Sequence, residues 1–249
     1  MKHREIFYTP PENIMQDRLR ITGEELAHLS RVVRKRVRDV IEVVDGRGNC
    51  YTAVLTEITP RFAEAEVQKR SRFVGEPNFQ LTLAQAVPKG NRFDWVIEKG
   101  TELGVAIFIP LLCQYSIVEP SARRHDRWRK IAIAAMKQSV RSVLPEIKSP
   151  QSLKEVVRST GMMQLGFIAE SGQGAKSLSE LVQDLRARSM PLTSAILLIG
   201  PEGGFSDEEL QFALKAGYHR FSLGQRRLRS ETAGLVATAI LMELIGELS

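Results

Sequence analysis

Near the C-terminus, Leu223-Gly224-Gln225-Arg226-Arg227-Leu228-Arg229-Ser230-Glu231-Thr232-Ala233 sets three guanidinium groups, a carboxylate and hydroxyls just ahead of an apolar stretch. Guanidinium groups can stabilise developing negative charge, and a carboxylate can accept or orient a proton. A second loop, Gly200-Pro201-Glu202-Gly203-Gly204-Phe205, lies some twenty residues upstream. Its glycines permit close approach of a ligand to the backbone. Glu202 suits a ribose hydroxyl or a cation, or else helps to cap the helix that follows. Each loop adjoins a predicted strand, and in open parallel sheets ligands bind beyond the carboxyl ends of strands. Together they suggest one site for a cofactor and an anionic substrate.

Other chemistries find little support. The glycine loop lacks the Gly-Lys-Ser/Thr of a P-loop and is not Gly-x-Gly-x-x-Gly, which disfavours a nucleoside triphosphate or a Rossmann-type dinucleotide. His3, His28, His125 and His219 are scattered without triad or metal spacing, and no metal site is expected. Cys50 and Cys113 form no metal-ligand pattern and read as two reduced thiols. Group transfer from a bound cofactor, which depends on positioning more than on covalent catalysis, fits better than hydrolysis.

The elements that must hold these loops follow from patterning. Thr22-Gly23-Glu24-Glu25 has capping-box spacing and predicts a short helix through Leu29. Val40 to Val44, Tyr51 to Glu57 and Phe62 to Gln68 read as short strands of a small β-barrel, the first ended by the hairpin signal Asp45-Gly46. Gly75-Glu76-Pro77-Asn78 reads as a linker. Beyond it strands and helices alternate: Leu81 to Val87, a helix over Phe93 to Leu103, Val105 to Leu112, and a long helix from Asp126 to Val143 closed by Pro145. Strands follow at Gln164 to Ala169, Ala195 to Ile199 and Arg220 to Leu223. Ser206-Asp207-Glu208-Glu209 predicts a capped helix stopping at Gly217, and a last helix runs from about Thr232 to Leu248. Buried strands alternating with helices predict an α/β fold with a parallel sheet. The nearly all-round apolar last helix belongs in a core or a homodimer interface.

The net charge of +6 is concentrated. The stretch Arg123 to Arg141 carries seven basic residues against one acid, and Arg31, Arg34, Lys35, Arg36 and Arg38 form a second cluster. With Arg226, Arg227 and Arg229 they point to a polyanion partner. No run reaches membrane-span length, and the charged start Met1-Lys2-His3-Arg4-Glu5 does not read as a signal peptide, so a cytoplasmic setting is expected.

Gly200 to Ser206, followed by Leu223-Gly224 and Leu228-Arg229-Ser230-Glu231-Thr232-Ala233, resembles the paired signature of the ribosomal RNA small subunit methyltransferase E family. His28 to Arg34, Lys89-Gly90, Glu98 to Val105, Arg127-Trp128 and Gln138-Ser139 with Arg141 and Pro145 extend the resemblance over most of the chain. After Leu112, members usually carry an acidic residue and an arginine before Ser, where this chain has Gln114 and Tyr115.

The resemblance implies an RNA-binding PUA-like β-barrel over residues 1–72 and a SPOUT-type domain over 73–249, whose parallel sheet carries a trefoil knot. It implies transfer of a methyl group from S-adenosylmethionine to N3 of a uridine in 16S ribosomal RNA, with the 30S subunit as the expected setting. Ile199, Gly200, Pro201, Glu202, Gly203, Gly204, Leu223, Gly224, Leu228, Thr232 and Ala233 would form the methyl-donor pocket. Arg229 would stabilise charge on the uracil and Glu231 would take or orient the N3 proton, the bland alternative being a salt bridge between the two. Arg31, Arg34, Lys35, Arg36, Lys89, Arg92 and Arg141 would contact RNA. Competing readings are a knotted methyltransferase acting on transfer RNA or on a ribose hydroxyl, a non-catalytic RNA-binding factor, and an unrelated nucleotide-dependent enzyme.

Overall fold

The computed structural model describes residues 5–118, 122–159, 165–170, 174–188 and 192–248. His3 and Gln164 lie outside the described residues. The chain forms two compact units, one of Met1–Glu76 with Ala132–Leu144, the other of Pro77–Ile131 with Pro145–Ser249.

The first unit contains β1 (Ile6–Tyr8), β2 (Ile14–Met15), β3 (Arg18–Ile21), α1 (Gly23–Ala27), β4 (Val40–Val44), β5 (Asn49–Ile58) and β6 (Ala63–Arg72). The strands form one sheet in the order β1-β4-β5-β6-β3-β2, antiparallel except for the β1–β4 pair. Strand residues alternate, sending Leu19, Ile21, Ile41, Val43, Ala53, Leu55, Ala63 and Ala65 into a common core with Phe7, Leu26 and Leu29. Two register shifts in the β5–β6 pair bend these long strands around that core.

The expected capping box at Thr22 does not form. Thr22 makes no side-chain cap bond, and α1 ends at Ala27, continuing as a wider turn over His28–Val32. The Glu25 carboxylate that should reach back to Thr22 is spent elsewhere: it accepts the Tyr8 amide at 3.0 Å and pairs with Lys137.

The second unit holds β7 (Gln80–Ala86), α2 (Arg92–Glu102), β8 (Val105–Leu112), β9 (Glu146–Ile147), β10 (Gln151–Ser152), α4 (Leu153–Ser159), β11 (Leu165–Ala169), α5 (Leu178–Ala187), β12 (Ser194–Ile199), α6 (Asp207–Lys215), β13 (His219–Phe221) and α7 (Ser230–Ile245). Helix α3 (Ala122–Gln138) belongs to this unit up to Ile131 and to the first from Ala132. The sheet is parallel throughout, in the order β10-β8-β7-β12-β11-β13, with β9 beside β8. Its central strands are buried on both faces, which explains their near-continuous apolar runs. Ala84, Ile109, Leu111, Ile168, Ile196 and Leu198 share a core with α4 and α6. On α7, Gly234, Ala237, Thr238, Leu241 and Met242 form the buried stripe, and the helix packs against α2, α5, β7 and β12.

Helix ends and helix inventory differ from the sequence reading. Helix α3 stops at Gln138 instead of Val143. The Glu76 carboxylate accepts the amides of Ser142 and Val143 at 2.7 and 2.8 Å, the Ser142 hydroxyl donates to Val74 O, and Val140 turns left-handed with φ 61°. Those amides have left the helical ladder, so Pro145 is not what ends it. Helix α5 was not anticipated, although Ser177 and Glu180 form a complete capping box at its start.

Candidate cofactor and substrate site

The carboxyl ends of three neighbouring strands open onto a cavity of about 770 Å³. Ala169 and Glu170 follow from β11, Ile199 to Gly204 from β12, and Phe221 to Ser230 from β13, with Ala233 completing the wall. This size lies within the usual range for small-molecule pockets, about 300–1,000 Å³. Of the residues singled out for a methyl donor, Ile199, Gly200, Pro201, Glu202, Gly203, Gly204, Leu223, Gly224, Leu228 and Ala233 all line it. Thr232 is exposed and stands outside the lining.

The two loops are tied together. Arg227 donates to the Glu202 carbonyl at 2.7 Å, and the Ser230 hydroxyl donates to the Gly200 carbonyl at 2.9 Å. Behind Ser230, the fully buried Gln85 of β7 donates to the same hydroxyl at 3.3 Å. Gln85 points away from the α4–α6 core and toward α7, where Gly234 makes room for it. A Cβ at position 234 would lie 2.0 Å from Gln85 Oε1. The chain Gln85–Ser230–Gly200 thus fixes the start of α7 against the β12 loop. Sequence reading missed this role of Gln85; a glutamine inside the apolar run Leu81 to Val87 was the available signal. Glu170 was missed as well, though it directly follows a predicted strand end.

Glu209 locks the outer side of the β12 loop. It completes the capping box with Ser206, at 2.9 and 3.2 Å, and its other oxygen accepts the Gln114 amide at 2.8 Å. Cys113, next to this clamp, is pushed up to about 12 by burial, with the Glu209 charge adding to the effect.

The charged residues are distributed unevenly. Arg229 is the N-cap of α7, exposed and in the cavity wall. Glu231 lies in the first turn of α7, does not line the cavity, and has one fully buried oxygen without a hydrogen-bond partner. Its other oxygen is 3.7 Å from Arg92 Nε, and a second nitrogen of Arg92 is 3.7 Å from Glu202. Among the described residues Glu231 pairs with Arg92 and not with Arg229, so the alternative of an Arg229–Glu231 bridge does not form. Arg92 thereby joins the β12 loop to α7.

Of the other cations expected on RNA, Arg31, Arg34 and Arg36 are exposed, as is Lys89, while Lys35 is half-buried and donates to Val40 O at 3.2 Å. Arg34 and Arg38 adopt left-handed φ of 59° and 78°. Arg141 is a correction. Its side chain is 3 % exposed and bonds the Glu76 carboxylate at 3.1 and 2.8 Å, which removes it from any solvent-facing RNA surface. The Arg127-Trp128 pair is likewise tied inside its unit, both side chains engaging Asp94, at 2.6 and 3.1 Å.

Comparison with known proteins agrees with this geometry. An RNA methyltransferase domain matches residues 75–242, and an RNA methyltransferase PUA domain matches residues 21–68. The ribosomal RNA small subunit methyltransferase E of Synechocystis is 32% identical over 236 residues, covering 94% of this chain and 76% of that protein. Its counterpart from Bacillus subtilis is 30% identical, covering 89% and 88%. The crystal structure of the Neisseria gonorrhoeae protein of the same name, bound to S-adenosyl methionine, superposes with a TM-score of 0.85 at 32% identity, covering 97% of this chain and 98% of that one. With its cavity on the two motif loops, its PUA domain and these relatives, the chain belongs to the ribosomal RNA small subunit methyltransferase E family.

Proposed function

We propose that this protein methylates N3 of a uridine in 16S ribosomal RNA from S-adenosylmethionine, acting on the 30S subunit in the cytoplasm. The observation that carries the reading is the single cavity built from both motif loops with Arg229 in its wall. S-adenosylmethionine supplies a methyl group activated on a positively charged sulfur. The residues fit such a group: the lining combines apolar side chains with the backbone of Ile199 to Gly204 and Leu223 to Leu228, able to hold an adenine and a ribose. At Gly204 and Gly224 a Cβ would meet nothing within 4 Å, which leaves the backbone open to close approach.

Uracil N3 must lose its proton before or during attack. Arg229 stabilises the negative charge that develops on the uracil carbonyls. Glu231, outside the lining but next to Ser230 of the cavity wall, accepts the N3 proton or orients the base at the cavity's edge, with Arg92 holding its carboxylate. Glu231→Gln tests this division of labour in a methyl-transfer assay. A large loss of turnover with retained S-adenosylmethionine affinity is expected; wild-type turnover at every pH would remove Glu231 from the chemistry.

Residues 1–72 serve RNA docking and residues 73–249 the transfer, the latter through a knotted C-terminal segment. Two hydrogen bonds tie the 222–230 loop to the β12 loop, as such a segment requires. Arg31, Arg34, Lys35, Arg36 and Lys89 contact phosphates. A second copy is favoured by the exposed Trp95 on α2 and Val236 on α7, apolar groups on two helices that pack together. Sedimentation of a dimer is the expected result. No helix among the described residues is long and apolar enough to cross a membrane.

A further inference from the structure

Tyr115 stands at the tip of the turn that follows β8, and its surroundings hold it rigidly. Ser116 donates its amide to Cys113 O at 2.9 Å, and its hydroxyl accepts the Cys113 amide at 2.9 Å. The intervening Gln114 amide is held by the buried Glu209 at 2.8 Å. A three-point clamp therefore fixes the backbone on either side of Tyr115. The side chain nevertheless remains 48% exposed.

Its base packs on the cavity wall. A Cβ at Gly203 would lie 3.1 Å from Tyr115 Cβ and 3.6 Å from its Cγ, so the absence of a side chain at Gly203 lets the tyrosine lie against that loop. Gly203 also lines the cavity. Cations border the same loop: Arg227 bonds the Glu202 carbonyl, and Arg92 stands 3.7 Å from the Glu202 carboxylate. A held, half-exposed aromatic ring against a cavity-lining loop that also carries guanidinium groups at Glu202 has the chemistry of a nucleobase platform. Bases stack on aromatic side chains irrespective of sequence, while adjacent cations meet the phosphates.

We propose that Tyr115 is a stacking platform for an unpaired base of the RNA substrate, positioning the strand so that the target base enters the cavity. This rests on the reading of the cavity as a methyl-transfer site on RNA. It makes Tyr115 a positioning residue, acting on RNA affinity and not on the methyl donor.

The test compares wild type with Tyr115→Ala and Tyr115→Phe in three measurements: binding of a short single-stranded oligouridylate, S-adenosylmethionine binding by calorimetry, and methyl transfer to unmodified 30S subunits. Tyr115→Ala should weaken oligouridylate binding and raise the KM for 30S subunits by roughly tenfold. Tyr115→Phe should restore both, and S-adenosylmethionine affinity should be unchanged in each variant. Wild-type RNA binding by Tyr115→Ala would overturn the proposal. So would failure of phenylalanine to rescue, or a parallel fall in S-adenosylmethionine affinity, which would make Tyr115 only a packing residue for the Gly203 loop. Oligouridylate binding needs no catalysis. If wild-type protein transferred no methyl group while this binding pattern held, the reaction assigned above would fail and the platform would stand.

Discussion

At the scale of single residues, buried polar groups join the two loops. Removing the Ser230 hydroxyl breaks both the bond to Gly200 and the one from Gln85. Ser230→Ala should therefore weaken S-adenosylmethionine binding by about twofold to tenfold, since a hydrogen bond is worth about 0.5–1.5 kcal/mol net. Calorimetry checks this, and unchanged affinity would separate the Gln85–Ser230 link from cofactor binding. Cys113 offers a different check. With its thiol pushed up to about 12, almost none is thiolate near pH 8, so alkylation of the native protein there should be far slower than after unfolding. These residues also mark the limits of sequence reading. The position of the two loops beside strand ends was legible because motif type and strand position coincide. Arg141 was misread because charge in a sequence carries no information about burial. Its partner Glu76 lies 65 positions away, and only the folded chain brings them together.

At the scale of elements, terminations were decided by side chains from elsewhere. Glu76 ends α3 by capturing two amides that the helical pattern would have continued through. Glu25 leaves Thr22 without a capping box because Tyr8 and Lys137 claim its carboxylate. By contrast the Ser206 box and strand β8 were legible in full, since capping spacing and a continuous apolar run are local signals. Arg141→Met leaves Glu76 buried beside only backbone donors. A loss of about 3–5 kcal/mol is expected, as for breaking one side of a buried ion pair, seen as a lower denaturant midpoint. A midpoint equal to wild type would mean that the backbone amides alone satisfy Glu76. Gly234→Ala drives a methyl group into Gln85 where α7 meets β7, and should cost about 1–3 kcal/mol as an overpacking change.

At the scale of the whole molecule, the alternation of strands and helices was enough to forecast a parallel sheet, and the family followed from two motifs. The strand order β10-β8-β7-β12-β11-β13 was not legible, because periodicity identifies strands and not their neighbours. That order is what brings the ends of β11, β12 and β13 together around one cavity. The measurement that tests the central claim most directly is methylation of 30S subunits lacking the modification, with S-adenosylmethionine labelled in its methyl group and the product nucleoside identified after complete digestion of the 16S RNA. The account predicts one N3-methyluridine per subunit, lost with Arg229→Ala. Label on a ribose hydroxyl, label on transfer RNA alone, or none incorporated by the wild-type protein would contradict it.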